Sequence, residues 1–464
     1  MTTLHEQSAT VLVSLYRNRA ASPVEVTRSV LAHIGHWEPL LNATYALDPE
    51  AAMAMARASE QRWHHGEPLG PLDGVPVTIK ENIATAGVPV PLGSAATTLQ
   101  PAIADAPPAA RLREGGAVLL GKTTMPDLGM LSSGLSSFHP LTRNPWDLAK
   151  NPGGSSAGAA AACAAGYGPL HLGTDIGGSI RLPAGWCGVV GFKPSLGRVP
   201  IQPPYAGRVA GPITRTVADA ALLMGVLSQP DWRDATALPA QATAWSALER
   251  PLKGLRVGLW LDAGWGLALE AQTEAVVRRA AERLEGEGAI VEPLGPFTTR
   301  AMVDGLDRFW RMRAWLDLQA LPAGRRHRVL PYIRDWAAPA QGYSGAQVFE
   351  GFSQMAAIRD ATVAATQGFD VVLSPVSPVL PFAAEAASPL DDPARPFEHI
   401  AYTLPFNFSE QPAIALPAGW SADGLPIGLQ IAGRRHDDLG VLQVAHALER
   451  LTPRRAWPTA PLDG

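Results

Sequence analysis

The sequence predicts an α/β fold, an α/β/α sandwich around a large mixed β-sheet with a helical insert. Three observations predict it. Short apolar, β-branched runs alternate with helical stretches along most of the chain. Runs such as Val371-Val372-Leu373 are apolar at consecutive positions, the mark of strands covered on both faces. Residues 300–365 break the alternation with a long helical stretch rich in Trp and Arg.

The elements follow in order. Residues 6–65 read as helical, and Ser22-Pro23-Val24-Glu25 fits a capping box with proline at the first helical position. Val75 to Lys80 reads as a buried strand ending at the lysine. Pro107 to Glu114 is a helix and Ala117 to Lys122 a strand. Ser156 to Ala165 is a helix of small residues. Leu170 to Thr174 and Val189 to Phe192 are strands, and Thr214 to Leu227 is a helix. Strand Leu255 to Trp260, helix Ala271 to Glu287 and strand Ile290 to Pro293 come next. After the insert, Val371 to Pro375, Ala413 to Pro417 and Ile427 to Ala432 read as strands, and Asp438 to Leu451 closes as a helix. The 43 prolines and 45 glycines are dispersed, so they mark turns rather than a disordered tract.

Length alone, at 464 residues, would suggest about three domains. The continuous alternation argues instead for one domain over 1–464. Within it, 1–70 forms an N-terminal helical segment and 71–230 a core. Residues 231–400 are a variable region carrying the insert, and 401–464 supply strands and a helix that complete the core. Hydrophobic residues make up 47% and charged residues 17%, with a net charge of −4. That is a globular profile with no basic face for nucleic acid or anionic lipid. The densest basic run, Arg325-Arg326-His327-Arg328, reads as a solvated surface. No apolar run reaches the ~18–20 residues of a membrane span. The start, Met1-Thr2-Thr3-Leu4-His5-Glu6, lacks the pattern of a signal peptide. Cys163 and Cys187 lack C-x-x-C spacing and read as buried free thiols in a cytoplasmic protein.

Two Gly-rich turns carry serines: Gly153-Gly154-Ser155-Ser156-Ala157-Gly158, and Gly173-Thr174-Asp175-Ile176-Gly177-Gly178-Ser179-Ile180-Arg181. Upstream lies Gly74-Val75-Pro76-Val77-Thr78-Ile79-Lys80-Glu81-Asn82. Glycines let successive N–H groups aim at one point, and a serine ending such a turn lies beside those donors. Taken alone, a Gly-Gly-Ser turn is usually structural, a serine before a helix is usually an N-cap, and a lone lysine is usually a surface residue. Together, in this order and spacing, the segments resemble the amidase signature family of Ser-cisSer-Lys amidohydrolases, of the stand-alone bacterial type. Further blocks support the likeness: Arg143-Asn144-Pro145-Trp146-Asp147, Gly188 to Pro194, Gly211 to Ala220, Pro405-Phe406-Asn407 and Gly424 to Gln430. Coverage is nearly end to end, weakest over about 230–400. One departure stands out: Ala157 occupies a position where the family commonly has glycine.

The resemblance implies roles. Ser179 is the expected nucleophile, Ser155 the bridging serine after a cis peptide bond, and Lys80 the base. The backbone N–H groups of Ile176, Gly177, Gly178 and Ser179 are the expected oxyanion hole. Ser156 fits the N-cap role of the following helix better than Ser155. A lysine at its free pKa, ~10.4, is protonated at neutral pH, so burial at a strand end is expected to lower it. Asp175 is expected to fix the loop, and Arg181 and Lys193 to pair with carboxylates.

The expected activity is hydrolysis of C–N bonds in neutral, hydrophobic or aryl carboxylic amides through an acyl-enzyme, with aryl esters or carbamates (urethanes) fitting the same machinery. The alternative within the signature is the glutamine amidotransferase subunit of tRNA-dependent amidation. The neutral preference rests on apolar Leu182, three positions after the nucleophile. Pocket candidates are Met130, Leu131, Leu182, Tyr205 and Trp310, then Phe309, Trp315, Tyr332 and Trp336. The insert is expected near the active site. No cofactor or metal is expected, since His64-His65 and His5-Glu6 lack ligand spacing. The expected partner is a small molecule, without nucleic acid or membrane, and the protein a monomer or homodimer. Gly116 to Thr123 matches the P-loop pattern formally, but its four middle residues, Ala117 to Leu120, read as a strand and not as a phosphate-cradling loop.

Overall fold

The computed structural model describes residues 3–453 and 455–460. Eleven strands form one mixed sheet: β1 Thr44–Tyr45, β2 Pro76–Lys80, β3 Val118–Thr123, β4 Leu170–Asp175, β5 Val190–Lys193, β6 Val209–Thr214, β7 Arg256–Trp260, β8 Ile290–Leu294, β9 Val371–Pro375, β10 Ala413–Trp420 and β11 Pro426–Gly433. Their order across the sheet is β1-β3-β2-β4-β6-β5-β10-β11-β9-β7-β8. β2 runs parallel to β3 and to β4, with Ile79 opposite Leu172. β4, β6, β5, β10, β11 and β9 are successively antiparallel, and β7 is parallel to β8 and β9.

Side chains alternate across a strand, and here the alternation feeds two separate cores. Ile414 and Leu416 of β10, with Val371 and Leu373 of β9, join one apolar cluster. Ala413, Ala415 and Val372 join the other. The first cluster takes in the helices Pro23–Leu41, Val217–Leu227, Ala271–Gly286 and Asp438–Leu451. The second takes in Arg181–Cys187, Arg300–Ala320, Pro331–Ala337 and Gly345–Thr366. Two apolar faces of one sheet, each buried under helices, make the three-layer sandwich.

Local chemistry sets the elements that carry the site. Ser22 accepts from the Glu25 N–H, and the Glu25 carboxylate accepts from the Ser22 N–H, the reciprocal capping box. The helix Ala157–Ala165 is buried along its whole length. Only small residues allow this: a Cβ at Gly158 would lie 2.1 Å from the Ala43 carbonyl oxygen. Ala157 is its first residue and is itself fully buried, so the methyl group is accommodated.

Three elements depart from the sequence expectation. β6 falls in a stretch to which the sequence assigns no element, and it takes in Thr214, expected to start a helix; its Pro212 stands opposite Leu172 of β4. β1 lies inside a segment read as helical; it is two residues at the sheet edge, paired with Thr123 and Lys122. The helix Arg181–Cys187 contains Pro183. There the proline sits in the first turn, where its missing N–H costs no intrahelical bond. Among the described residues no helix is long and apolar enough to cross a membrane.

Candidate active site

The site forms outside the carboxyl ends of β2 and β4, the usual place for a ligand in an open α/β sheet. Lys80 is the last residue of β2 and Asp175 the last of β4. Lys80 is fully buried. Its Nζ donates to Ser155 Oγ at 2.7 Å and to Ser156 Oγ at 3.1 Å. Burial lowers its pKa to about 7, with the Arg208 cation adding to the effect against Asp175 and Glu81. A lysine in this setting holds a large neutral fraction at neutral pH.

The Gly154–Ser155 peptide bond is cis, as expected. Ser156 stands at the N-cap of the helix Ala157–Ala165, but its hydroxyl makes no capping bond. It donates to the Thr174 carbonyl and accepts from the Thr174 N–H and Lys80. The expectation of an N-cap serine therefore gives way to a tether between the lysine and β4. The Lys80 amine and the β4 edge compete successfully for that hydroxyl.

The turn after β4 is held by Asp175. Its carboxylate accepts from the N–H groups of Gly178 at 2.8 Å and Ile180 at 3.0 Å, from Arg181 Nε and Nη2, and from Asn407 Nδ2. Burial alone would raise this carboxyl, but the Arg181 charge and these hydrogen bonds hold it well below the usual carboxylate range. Arg181 is satisfied in turn by Thr403 O, Gln430 Oε1 and Asn407 Oδ1. Gly178 has φ +126°, and a Cβ there would lie 2.5 Å from Thr403 Oγ1, so the turn admits only glycine.

This bonding changes the expected oxyanion hole. The Gly178 N–H is already taken by Asp175. The N–H groups of Ile176, Gly177 and Ser179 have no acceptor among the described residues. Ile176, Gly177 and Ser179 all line the same cavity, as does Ser155. The Ser179 hydroxyl makes no hydrogen bond to the described residues and opens to that cavity.

The cavity measures about 480 Å³. Leu92, Met125, Leu128, Met130, Leu131, Trp310, Trp336, Phe397 and Ile400 give it an apolar wall, and Arg208, Arg313 and Asp317 a charged end. The insert thus reaches the site through Trp310, Arg313, Asp317 and Trp336. Met130, Leu131 and Trp310 line it as expected. Leu182 does not: it lies in the first turn of the helix Arg181–Cys187 and is buried behind Gly178. Tyr205 does not line it either; its ring lies under the Arg313 guanidinium, 4.2 Å away. Phe309 packs on Phe352, and Tyr332 donates to the Asp392 carbonyl. Lys193 has no carboxylate partner among the described residues; its Nζ donates to the Pro194 carbonyl, and burial lowers its pKa to about 7. Lys122 of the P-loop-like run lies on β3, buried, with its Nζ donating to Ile83 O and Thr85 Oγ1.

The family model Amidase matches residues 25–442. Among curated proteins, a glutamyl-tRNA(Gln) amidotransferase subunit of Chloroflexus aurantiacus is 35% identical, covering 97% of this chain and 98% of its own. Among solved structures, a bacterial aryl acylamidase of the amidase signature family superposes with a TM-score of 0.88 at 32% identity, covering 97% of both chains. The 6-aminohexanoate cyclic dimer hydrolase superposes with a TM-score of 0.86 at 27% identity over 98% of both. The cis-serine turn, the buried lysine and this match over most of the chain together place the protein in the amidase signature family.

Proposed function

We propose that the protein hydrolyses carboxylic amides through an acyl-enzyme on Ser179, and that its substrates present a hydrophobic or aryl group. The observation that carries this reading is the neutral-leaning Lys80 on Ser155, beside a free serine hydroxyl and free N–H donors. An amide is a poor electrophile, so it needs an activated nucleophile, a stabilised oxyanion and a proton for the departing amine. In the proposed course, Ser179 Oγ attacks the carbonyl carbon while its proton passes through Ser155 to neutral Lys80. The oxyanion is held by the N–H groups of Ile176, Gly177 and Ser179. The C–N bond breaks as the proton returns through Ser155 to the leaving nitrogen. Water then attacks the ester, its proton follows the same relay, and a carboxylic acid leaves as Ser179 is restored. Aryl esters and carbamates fit the same steps.

The apolar wall of Leu128, Met130, Trp310, Trp336 and Phe397 supports an aryl or hydrophobic arm. A second reading is favoured by the curated relatives: one component of a tRNA-dependent amidotransferase, taking glutamine as its amide. The two share the chemistry at Ser179 and differ in substrate and partners. A glutamine would leave much of the apolar wall bare, which weighs for the stand-alone reading.

The test is release of p-nitroaniline from p-nitroacetanilide and of p-nitrophenol from p-nitrophenyl butyrate, by wild type and Ser179→Ala. Turnover lost in the variant supports the proposal; equal turnover in both overturns it. Glutaminase activity, together with co-purification of two partner chains, would replace the stand-alone reading by the second.

A further inference from the structure

Four charged side chains line the cavity: Asp175, Arg208, Arg313 and Asp317. Asp175 is committed to Arg181 at 2.9 Å. Arg313 stacks on Tyr205 and has Asp317 at 3.9 Å. Arg208 is different. It is half-buried, and its one hydrogen bond to the described residues runs from Nη1 to the Pro203 carbonyl at 3.0 Å. Among the described residues no carboxylate oxygen lies within ion-pair distance of it. Its neighbour Arg313 is a second cation, close enough to lower its pKa further after burial has done so. A half-buried guanidinium that faces a cavity beside another cation, with no carboxylate partner of its own, is a ready site for an anion.

We propose that Arg208, with Arg313 beside it, is a carboxylate-binding subsite, so that the amide cleaved at Ser179 carries a free carboxylate on the arm that reaches this end of the cavity. The planar fork of Arg208 keeps Nε and Nη2 without an acceptor among the described residues, which suits a bidentate carboxylate. Arg208 lines the same cavity as Ser155 and Ser179, so the subsite opens on the reaction centre. This deepens the hydrolase reading and rests on it, and it replaces the expectation of a neutral substrate. That expectation rests on Leu182, which the structure places outside the cavity. Two sources share the carboxylate chemistry. One is a monoamide of a dicarboxylic acid. The other is an α-amino acid amide, whose ammonium would meet Asp317.

Binding to Ser179→Ala tests the subsite without any turnover. The probes are glutaranilic acid, its methyl ester and γ-glutamylanilide, measured by titration calorimetry at fixed salt. The free acid is expected to bind roughly 10- to 100-fold tighter than the ester, the range for a hydrogen-bonded charge. In Ser179→Ala/Arg208→Gln that preference is expected to fall to within about threefold. The charge-retaining Ser179→Ala/Arg208→Lys should keep part of it, which separates a lost charge from a collapsed loop. Tighter binding of γ-glutamylanilide than of glutaranilic acid identifies the amino acid source, and weaker binding the dicarboxylic one. Equal affinity for acid and ester, a preference that survives Arg208→Gln, or no binding of either probe overturns the subsite. Wild-type release of aniline from glutaranilic acid, alongside p-nitroaniline from p-nitroacetanilide, decides separately on the hydrolase reading: turnover of either that is lost in Ser179→Ala supports it, and turnover of neither counts against it.

Discussion

Changing the pH across neutrality should titrate the reaction through Lys80. The amine must be neutral to accept the proton of Ser155, and burial has brought its pKa to about 7. At pH 7 about half of the enzyme then holds a competent base, against ~0.04% for a lysine at its ordinary pKa. The sign follows from the depressed value. Activity is half-maximal near pH 7, approaches its plateau about one unit above, and falls about tenfold for each further pH unit below. At pH 5, kcat/KM should be about 1% of its plateau. The assay is p-nitroaniline release at subsaturating substrate from pH 5 to 9.5, at constant ionic strength. Lys80→Met should cost roughly 10²–10⁴-fold at the plateau, the usual range for a lost acid–base group, and should abolish the acid limb. A flat profile, a limb centred near 10, or an unchanged limb in Lys80→Met would refute the assignment of Lys80 as the base.

Other consequences are equally direct. The Arg208 cation helps to lower the pKa of Lys80, so Arg208→Gln should move the acid limb to higher pH; a limb that moves down or stays fixed contradicts the electrostatic picture. Arg181→Ala leaves the Asp175 carboxylate buried without its cation, and urea denaturation should report a loss of about 3–5 kcal/mol, with an unchanged midpoint counting against it. Gly178→Ala forces a Cβ against Thr403 at positive φ and disturbs the donors of the turn. kcat should fall by roughly 10²–10³-fold, and near-normal kcat would remove the turn from the mechanism. Added ATP should leave the melting temperature unchanged, because Lys122 is locked inside β3; a clear rise would reinstate nucleotide binding.

The sheet and the centre of the site were legible because their signals are local. Val371 to Pro375 and Ile427 to Ala432 are apolar runs between turns, and both are strands. The helices Pro107–Glu114 and Asp438–Leu451 have the bounds that capping and periodicity imply. β6 was not legible, because Gly211-Pro212 reads as a break and only long-range pairing with β4 and β5 makes it a strand. The motif glycines and serines singled out Lys80, Ser155 and Ser179; the structure bonds Lys80 to Ser155 and sets Ser155 and Ser179 on one cavity. What no local pattern could give is the partner of each polar group. Asp175 takes the Gly178 N–H out of the oxyanion set, and Ser156 serves Lys80 rather than its own helix. Asn407 and Gln430 sit in segments that stand out in the sequence, and the structure supplies the reason: both are bonded to Arg181. The cavity walls were the least legible part. Arg208, Arg313 and Asp317 come from a loop and a helix far apart in sequence, and nothing in their spacing announces a shared surface.

The most direct test of the central claim is to trap the acyl-enzyme. The protein is incubated with a p-nitrophenyl carbamate, quenched in acid, and read by intact mass and peptide mapping. One acyl addition per chain is expected, on the peptide containing Ser179, and none in Ser179→Ala. An adduct on another residue, or one that persists undiminished in Ser179→Ala, would contradict the claim.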